Sequence, residues 1–190
     1  MSSKGLVTLP LHPDKVDWLK NKIRNIPDFP KPGIMFRDLT TLFGDHEAFS
    51  FVVSALVKKY QPLKPDYIAG IEARGFIFGA TLAYELGAGF IAVRKPGKLP
   101  YTVERIDYQL EYGMDGLEIS SDALEAVKQP TVILVDDVLA TGGTAAAAVS
   151  LLEKLGGRVA GIGFAVELSY LNGRSKFGPD TDVFSLIEYK

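Results

Sequence analysis

The chain has 190 residues, 47% of them hydrophobic and 23% charged, a composition that excludes a disordered or fibrous protein and at this length supports a sizeable core. It contains no Cys and only two His (His12 and His46), so a disulfide framework, a thiolate nucleophile and a Cys-rich zinc site are excluded, and any metal is expected to be oxygen-bound. A net charge of −2, with a pI of about 5.7, argues against a general electrostatic grip on nucleic acid or on an anionic membrane.

The N-terminal stretch MSSKGLVTLPLHPDK is interrupted by Pro10 and Pro13 and lacks the apolar region of a signal peptide. The longest uncharged apolar run, Gly75 to Tyr84, falls well short of the roughly 20 residues a membrane span needs. A cytoplasmic protein is the expectation. After Pro13-Asp14, a good helix start, Val16, Leu19, Ile23 and Ile26 recur at helical spacing until Pro27 ends the pattern. The segment from Pro27 to Asp38 then holds Pro27, Pro30, Pro32 and Gly33, which forbid regular structure and fix Ile34, Met35 and Phe36 on an ordered loop or short strand. From Asp45, a plausible cap, Phe49, Val52, Val53, Leu56, Val57 and Tyr60 describe a second amphipathic helix, closed by Pro62.

Short β-branched runs then alternate with helical ones: Tyr67 to Ile71, Phe76 to Leu86, Phe90 to Val93, Thr131 to Val135, Thr144 to Leu155 and Val159 to Val166. The strands are apolar on both faces, so the expected class is α/β, a central and largely parallel sheet flanked by helices, in a single domain spanning residues 1–190. Gly87 and Gly156 stand where helix C-caps belong. The segment between Arg94 and Gln129 has no helical period and is long for a loop, which predicts a functional lid or a small hairpin.

The most informative segment runs from Val132 to Thr144. A buried strand ends in Asp136 and Asp137, which places two carboxylates at the carboxyl edge of the sheet, where open α/β folds bind ligands. The turn Ala140, Thr141, Gly142, Gly143, Thr144 then enters an Ala-rich helix, presenting backbone N–H groups and hydroxyls at the positive end of the helix dipole. This is a cradle for one phosphate. It lacks the Lys of a triphosphate loop and is too short for a dinucleotide fingerprint. The two acids suit the cis-diol of a ribose, or a magnesium ion bridging it. The plainer alternative is a strand-to-helix turn in which Thr141 or Thr144 caps the helix.

Four apolar residues, two acids, three mostly apolar residues and Thr-Gly-Gly-Thr resemble, position for position, the phosphoribosyl pyrophosphate motif of the type I phosphoribosyltransferases. Further stretches resemble the adenine-using members of that family: Pro27 to Pro30 with Pro32 to Asp38, Asp66 to Phe76, Arg94 to Pro100, and Leu110 to Gly113. The resemblance implies the type I phosphoribosyltransferase fold, with a small N-terminal hood at about residues 27–40 and a mobile lid at about residues 95–120. It implies magnesium as cofactor, adenine, phosphoribosyl pyrophosphate and AMP as small-molecule ligands, and a homodimer. It places the base against Phe36, read by the backbone of Met35 and Arg37. It assigns pyrophosphate to the turn Glu72, Ala73 and Arg74 and to Arg94, Lys95 and Lys98, and ribose phosphate to Ala140, Thr141, Gly142, Gly143 and Thr144 with Asp136 and Asp137. Glu111 is implied as the group handling the purine proton, with Tyr112 covering the site. The magnesium ion is held mainly through substrate, with Asp136 and Asp137 as the carboxylates available to it. The chain departs from the family pattern at Tyr101-Thr102, where many relatives have Gly.

Two alternatives stay open on the sequence. A non-catalytic nucleotide-sensing homologue would share the fold, although a DNA-binding regulator would need an added basic module and only one short helix precedes the hood. Transfer to a 6-oxopurine would keep the mechanism and change the hood.

Overall fold

The opening helix starts where Pro13 and Asp14 place it and stops sooner than the apolar spacing predicts. In the computed structural model, which describes residues 9–110 and 113–190 (backbone only at 110 and 113), α1 covers Pro13–Lys20. His12 is its N-cap, accepting the Asp14 N–H on Nδ1. Ile23 and Ile26 do not continue the helical face. Ile26 belongs to strand β1 (Arg24–Ile26), whose backbone groups pair antiparallel with β2 (Phe36–Asp38), Ile26 opposite Phe36. The proline-rich segment therefore does carry a short strand, and its partner is taken from the end of the predicted helix. A short helix α2 (Thr40–Gly44) precedes α3 (His46–Tyr60). Asp45 acts as the expected cap: its carboxylate accepts the Ala48 N–H at 3.0 Å and pairs with Lys22 Nζ at 2.6 Å. These elements up to residue 58 form one compact unit, and residues 59–190 form a second.

The second unit is built on five parallel strands in the order β4-β3-β7-β8-β9. They are β3 (Tyr67–Ile71), β4 (Gly89–Val93), β7 (Thr131–Leu139), β8 (Arg158–Leu168) and β9 (Val183–Tyr189), with helix α4 (Gly75–Leu86) between β3 and β4 and α5 (Gly143–Lys154) between β7 and β8. Gly87 closes α4 in the left-handed conformation the sequence predicts, at φ +67°. The segment between Arg94 and Gln129 holds a hairpin, β5 (Val103–Leu110) against β6 (Gly113–Ser120). An isolated bridge between Arg94 and Glu118 joins it to the chain leaving β4.

Alternation along the strands divides the core into two layers. Ala69, Ile71, Val132, Leu134, Ile162 and Phe164 share one cluster with Ala148, Leu151 and Leu152 of α5 and with Leu117 and Ile119 of the hairpin. Gly70 and Val135 turn to the other side, where α4 lies so close that a Cβ on Gly70 would stand 2.9 Å from the Gly75 carbonyl oxygen. On that same side the ring of Tyr60 covers Gly161 and Gly163 and meets Phe184 edge-on. The Tyr60 side chain is fully buried, and burial pushes its phenol well above the ordinary range.

The bare strand surface under Tyr60 makes a test of the packing. A Cβ at residue 163 would lie 2.8 Å from Tyr60 Cε2, and the buried ring has little room to give. Gly163→Ala is expected to lower stability by about 1–3 kcal/mol, read as a lower urea midpoint with unchanged m-value. An unchanged midpoint would show that the ring shifts freely.

Candidate functional site

Between β3 and β7 the sheet changes direction of growth. The β3–α4–β4 unit extends one way and the β7–α5–β8 unit the other, with α4 and α5 on opposite faces, so the carboxyl ends of β3 and β7 flank a crevice of the kind in which open α/β sheets bind ligands. A pocket of about 210 Å³ lies there, lined by Ile71 and Glu72 after β3, by Asp136 on β7, by Ala140, Thr141, Gly142 and Thr144 of the following turn, and by Lys95.

Strand β7 continues further than the sequence suggests. It pairs with β3 only as far as Val135 opposite Gly70, but with β8 it runs on to Leu139 opposite Glu167. Asp136 and Asp137 are therefore strand residues, and alternation sends their side chains to opposite faces. Asp136 lines the pocket, and its Oδ1 accepts the Asp137 backbone N–H at 2.8 Å. Burial, with the Asp137 charge second, pushes its carboxyl well above the usual range. Asp137 is 2% exposed and is paired through Oδ2 with Arg74 Nε, with a second contact of 3.4 Å to Nη2. The Arg74 charge and the Asp137 carboxylate thus neutralise each other.

In the turn after β7 neither Thr hydroxyl caps the helix. Helix α5 has Gly142 as its N-cap, at φ +80°, and no side chain caps it. Thr144 Oγ1 instead meets the Tyr108 hydroxyl at 3.2 Å. The backbone N–H groups of the first turn of α5 are left to face the pocket, the arrangement that binds anions. Gly142 is required twice over, because its φ disfavours other residues and because a Cβ would lie 2.3 Å from the Gly173 carbonyl oxygen.

The turn Glu72-Ala73-Arg74, which contains a cis Glu72–Ala73 peptide, leads directly into α4. The Glu72 carboxylate organises the loop after β4: it accepts the Lys95 backbone N–H at 2.9 Å and Arg94 Nε at 3.2 Å, and these bonds hold its pKa below the usual value. Arg94 also donates to the Lys98 carbonyl at 3.2 Å. Of the three predicted cations, Lys95 lines the pocket. Its ammonium pairs with Asp115 and lies 3.3 Å from the Tyr108 hydroxyl. Burial alone would lower the Lys95 pKa and raise that of Asp115, but the pairing wins, so the amine sits above and the acid below its ordinary value.

Tyr108 and Asp115 were not singled out from the sequence. They stand opposite each other in the hairpin register, and the alternation of Ile106 with Tyr108 is the signal that could have located them once the two strands were aligned. Glu118, buried at 6% exposure, likewise accepts the Gly97 N–H at 2.9 Å and fixes the loop that carries Lys98. Glu111 and Tyr112 lie outside the described residues. In the first unit, Phe36 is half-buried on β2 with its ring edge-on to Phe29 at 5.1 Å. Met35 beside it is exposed, and the Arg37 side chain bonds to Asn25.

A parallel sheet with an uncapped Thr-Gly-Gly-Thr turn and an acid at its switch point has the build of a phosphoribosyltransferase domain, and the family model for the phosphoribosyl transferase domain matches residues 43–188. The chain is 53% identical over 180 residues to the adenine phosphoribosyltransferase of Acidobacterium capsulatum, covering 95% of this chain and 98% of that one. Against the same-named protein of Nostoc punctiforme it is 54% identical over 173 residues, covering 90% and 99%. Among solved structures, adenine phosphoribosyltransferase from Rhodothermus marinus superposes with a TM-score of 0.87 at 42% identity, covering 94% of this chain and 100% of that one. The Saccharomyces cerevisiae enzyme, solved with adenine and an imino-altritol bisphosphate, does so at 0.85 and 40%, covering 92% and 99%. The chain belongs to the phosphoribosyltransferase family, in its adenine phosphoribosyltransferase branch.

The raised pKa of Asp136 carries a stability prediction. A carboxyl whose folded pKa lies above its unfolded value favours folding at low pH and opposes it progressively as pH rises through the folded pKa. Asp136→Asn is therefore expected to raise Tm at pH 7–8, with the gain shrinking towards pH 4 and below, while turnover falls. Equal Tm values at pH 8 would contradict the assigned burial of this charge.

Proposed function

We propose that this chain transfers the phosphoribosyl group of phosphoribosyl pyrophosphate to adenine, giving AMP and pyrophosphate, in purine salvage. The observation that carries the reading is the uncapped turn Ala140–Thr144 beside Asp136, at the carboxyl edge of the switch between β3 and β7. In the reaction a bond forms between the adenine ring nitrogen and the anomeric carbon of the ribose. The bond from that carbon to the pyrophosphate oxygen breaks, and the leaving group departs with the electron pair.

In this reading the N–H groups and hydroxyls from Thr141 to Thr144 hold the ribose phosphate, and Asp136 faces the ribose hydroxyls. Lys95 meets the leaving pyrophosphate once it exchanges Asp115 for the incoming anion, with Arg94 and Lys98 behind it. Arg74 reaches pyrophosphate by leaving Asp137, while Glu72 and Ala73 contribute backbone rather than carboxylate charge. The positive groups stabilise charge that develops as the oxygen leaves. Phe36, Met35 and Arg37 of the hood hold the base, Glu111 accepts its proton and Tyr112 covers the site. Exclusion of water by the lid protects an oxocarbenium-like centre.

Magnesium fits this donor set. Such an ion binds through one or two carboxylates plus substrate oxygens and water, and Asp136 lines the pocket. Asp136 would hold it, joined by Asp137 when Arg74 moves. When bound, the ion would supply positive charge against the departing pyrophosphate. The proposal takes residues 1–190 as one phosphoribosyltransferase domain, with a hood at about 27–40 and a lid at about 95–120, acting as a cytoplasmic homodimer. Among the described residues no helix is long and apolar enough to cross a membrane.

Product formation tests it. Phosphoribosyl pyrophosphate and magnesium are offered with adenine, hypoxanthine, guanine or orotate in separate reactions and resolved by chromatography. AMP from adenine alone, abolished without metal, is the expected result. Product from another base would overturn the hood assignment, and binding without product would move the chain to the nucleotide-sensing reading.

A further inference from the structure

The phosphate turn leans on a second loop far along the chain. Strand β8 ends at Leu168 and is followed by two 3-10 turns, Ser169–Leu171 and Gly173–Lys176. The second is tied down by Arg174. Its guanidinium bonds both oxygens of the buried Glu167 carboxylate, at 2.7–2.9 Å, and donates to the Val183 carbonyl at 2.6 Å and to Ser185 Oγ at 3.3 Å. Glu167 is itself the register partner of Leu139, the last residue of β7 before the phosphate turn. One strand pair thus sets the distance between the two loops.

Their backbones touch. A Cβ on Gly142 would stand 2.3 Å from the Gly173 carbonyl oxygen, and a Cβ on Gly173 would stand 2.2 Å from the Ala140 carbonyl oxygen. Gly173 does not have the positive φ that would itself call for glycine. Its lack of a side chain answers to the Ala140 backbone of the phosphate turn and, less tightly, to Leu139 Cδ1, 3.0 Å from the same Cβ position. Three residues on, Lys176 lays its stem over the turn, with Cγ 3.1 Å from the position a Gly142 Cβ would take. Its ammonium, three bonds further on, is within reach of any anion held by the N–H groups of that turn. Lys176 is exposed, and among the described residues no ion pair takes up its charge.

We propose that the Gly173–Lys176 turn is a second wall of the phosphate subsite, with Gly173 a positioning residue for Ala140–Gly142 and Lys176 a cation that adds to binding of the substrate's ribose phosphate. This rests on the phosphoribosyl transfer reading above. Lys176 acts across a solvated edge, so its contribution is that of an exposed charge pair, screened by salt.

The test is steady-state kinetics on Lys176→Met, which keeps the stem on Gly142 and removes the charge. KM for phosphoribosyl pyrophosphate is expected to rise about threefold to fivefold, with kcat, KM for adenine and Tm close to wild type. The difference should shrink with added salt and disappear in Lys176→Arg. An unchanged KM for phosphoribosyl pyrophosphate, or an equal rise in KM for adenine, would overturn the assignment. Gly173→Ala forces the phosphate turn aside and is expected to raise the same KM about tenfold or more. If the wild type forms no AMP, the functional reading fails while the inference is still decided. Calorimetry with ribose 5-phosphate then serves, where weaker binding by Lys176→Met supports it and equal binding refutes it.

Discussion

Strand direction is the constraint on which the site depends. Five parallel strands must deliver their carboxyl ends to one edge of the sheet, and each crossover helix must begin at that edge with its positive end towards it. The consequences are concentrated at β3 and β7, neighbours in the sheet whose crossovers leave in opposite directions. The turn entering α5 has no side-chain cap, so its N–H groups are left for a ligand. The same geometry brings Glu72 and Lys95 to the pocket from the ends of β3 and β4.

A site for a multiply charged anion is here surrounded by carboxylates, and the pairing pattern explains how both are tolerated. Asp137 is met by Arg74, Glu72 by Arg94 and the Lys95 N–H, and Asp115 by Lys95. Among these acids Asp136 is the one pushed well above the usual carboxylate range, with burial as the main cause. It faces the pocket, and a carboxyl held above its unfolded pKa supports folding less as pH rises. The Arg74 and Lys95 pairs hold two cations in defined positions.

Much of this was legible in the sequence because it rests on local rules. The run from Val132 to Thr144 gave strand, acids and turn together, and Gly87 and Asp45 gave helix ends. What was missed depends on long-range pairing. Ile26 has helical spacing but lies in β1, because β2 offers its backbone partners. Strand β7 outlasts its apolar run because β8 continues to pair with it past Asp136. Asp137 reads in sequence as a ligand-facing acid, and only the fold shows Arg74 beside it. Tyr108, Asp115 and Gly173 carry no motif at all: their importance comes from what stands across from them, at 3.2 Å from Thr144 in one case and in backbone contact with Ala140 in another.

If the uncapped turn at the start of α5 receives a phosphate, its own amides must feel it. Amide chemical shifts of the 15N-labelled protein, recorded as ribose 5-phosphate is added, test this most directly. The largest changes are expected at the N–H groups of Thr141, Gly142, Gly143 and Thr144, with saturation. Saturable changes centred on another part of the chain, with these four amides unmoved, would contradict it.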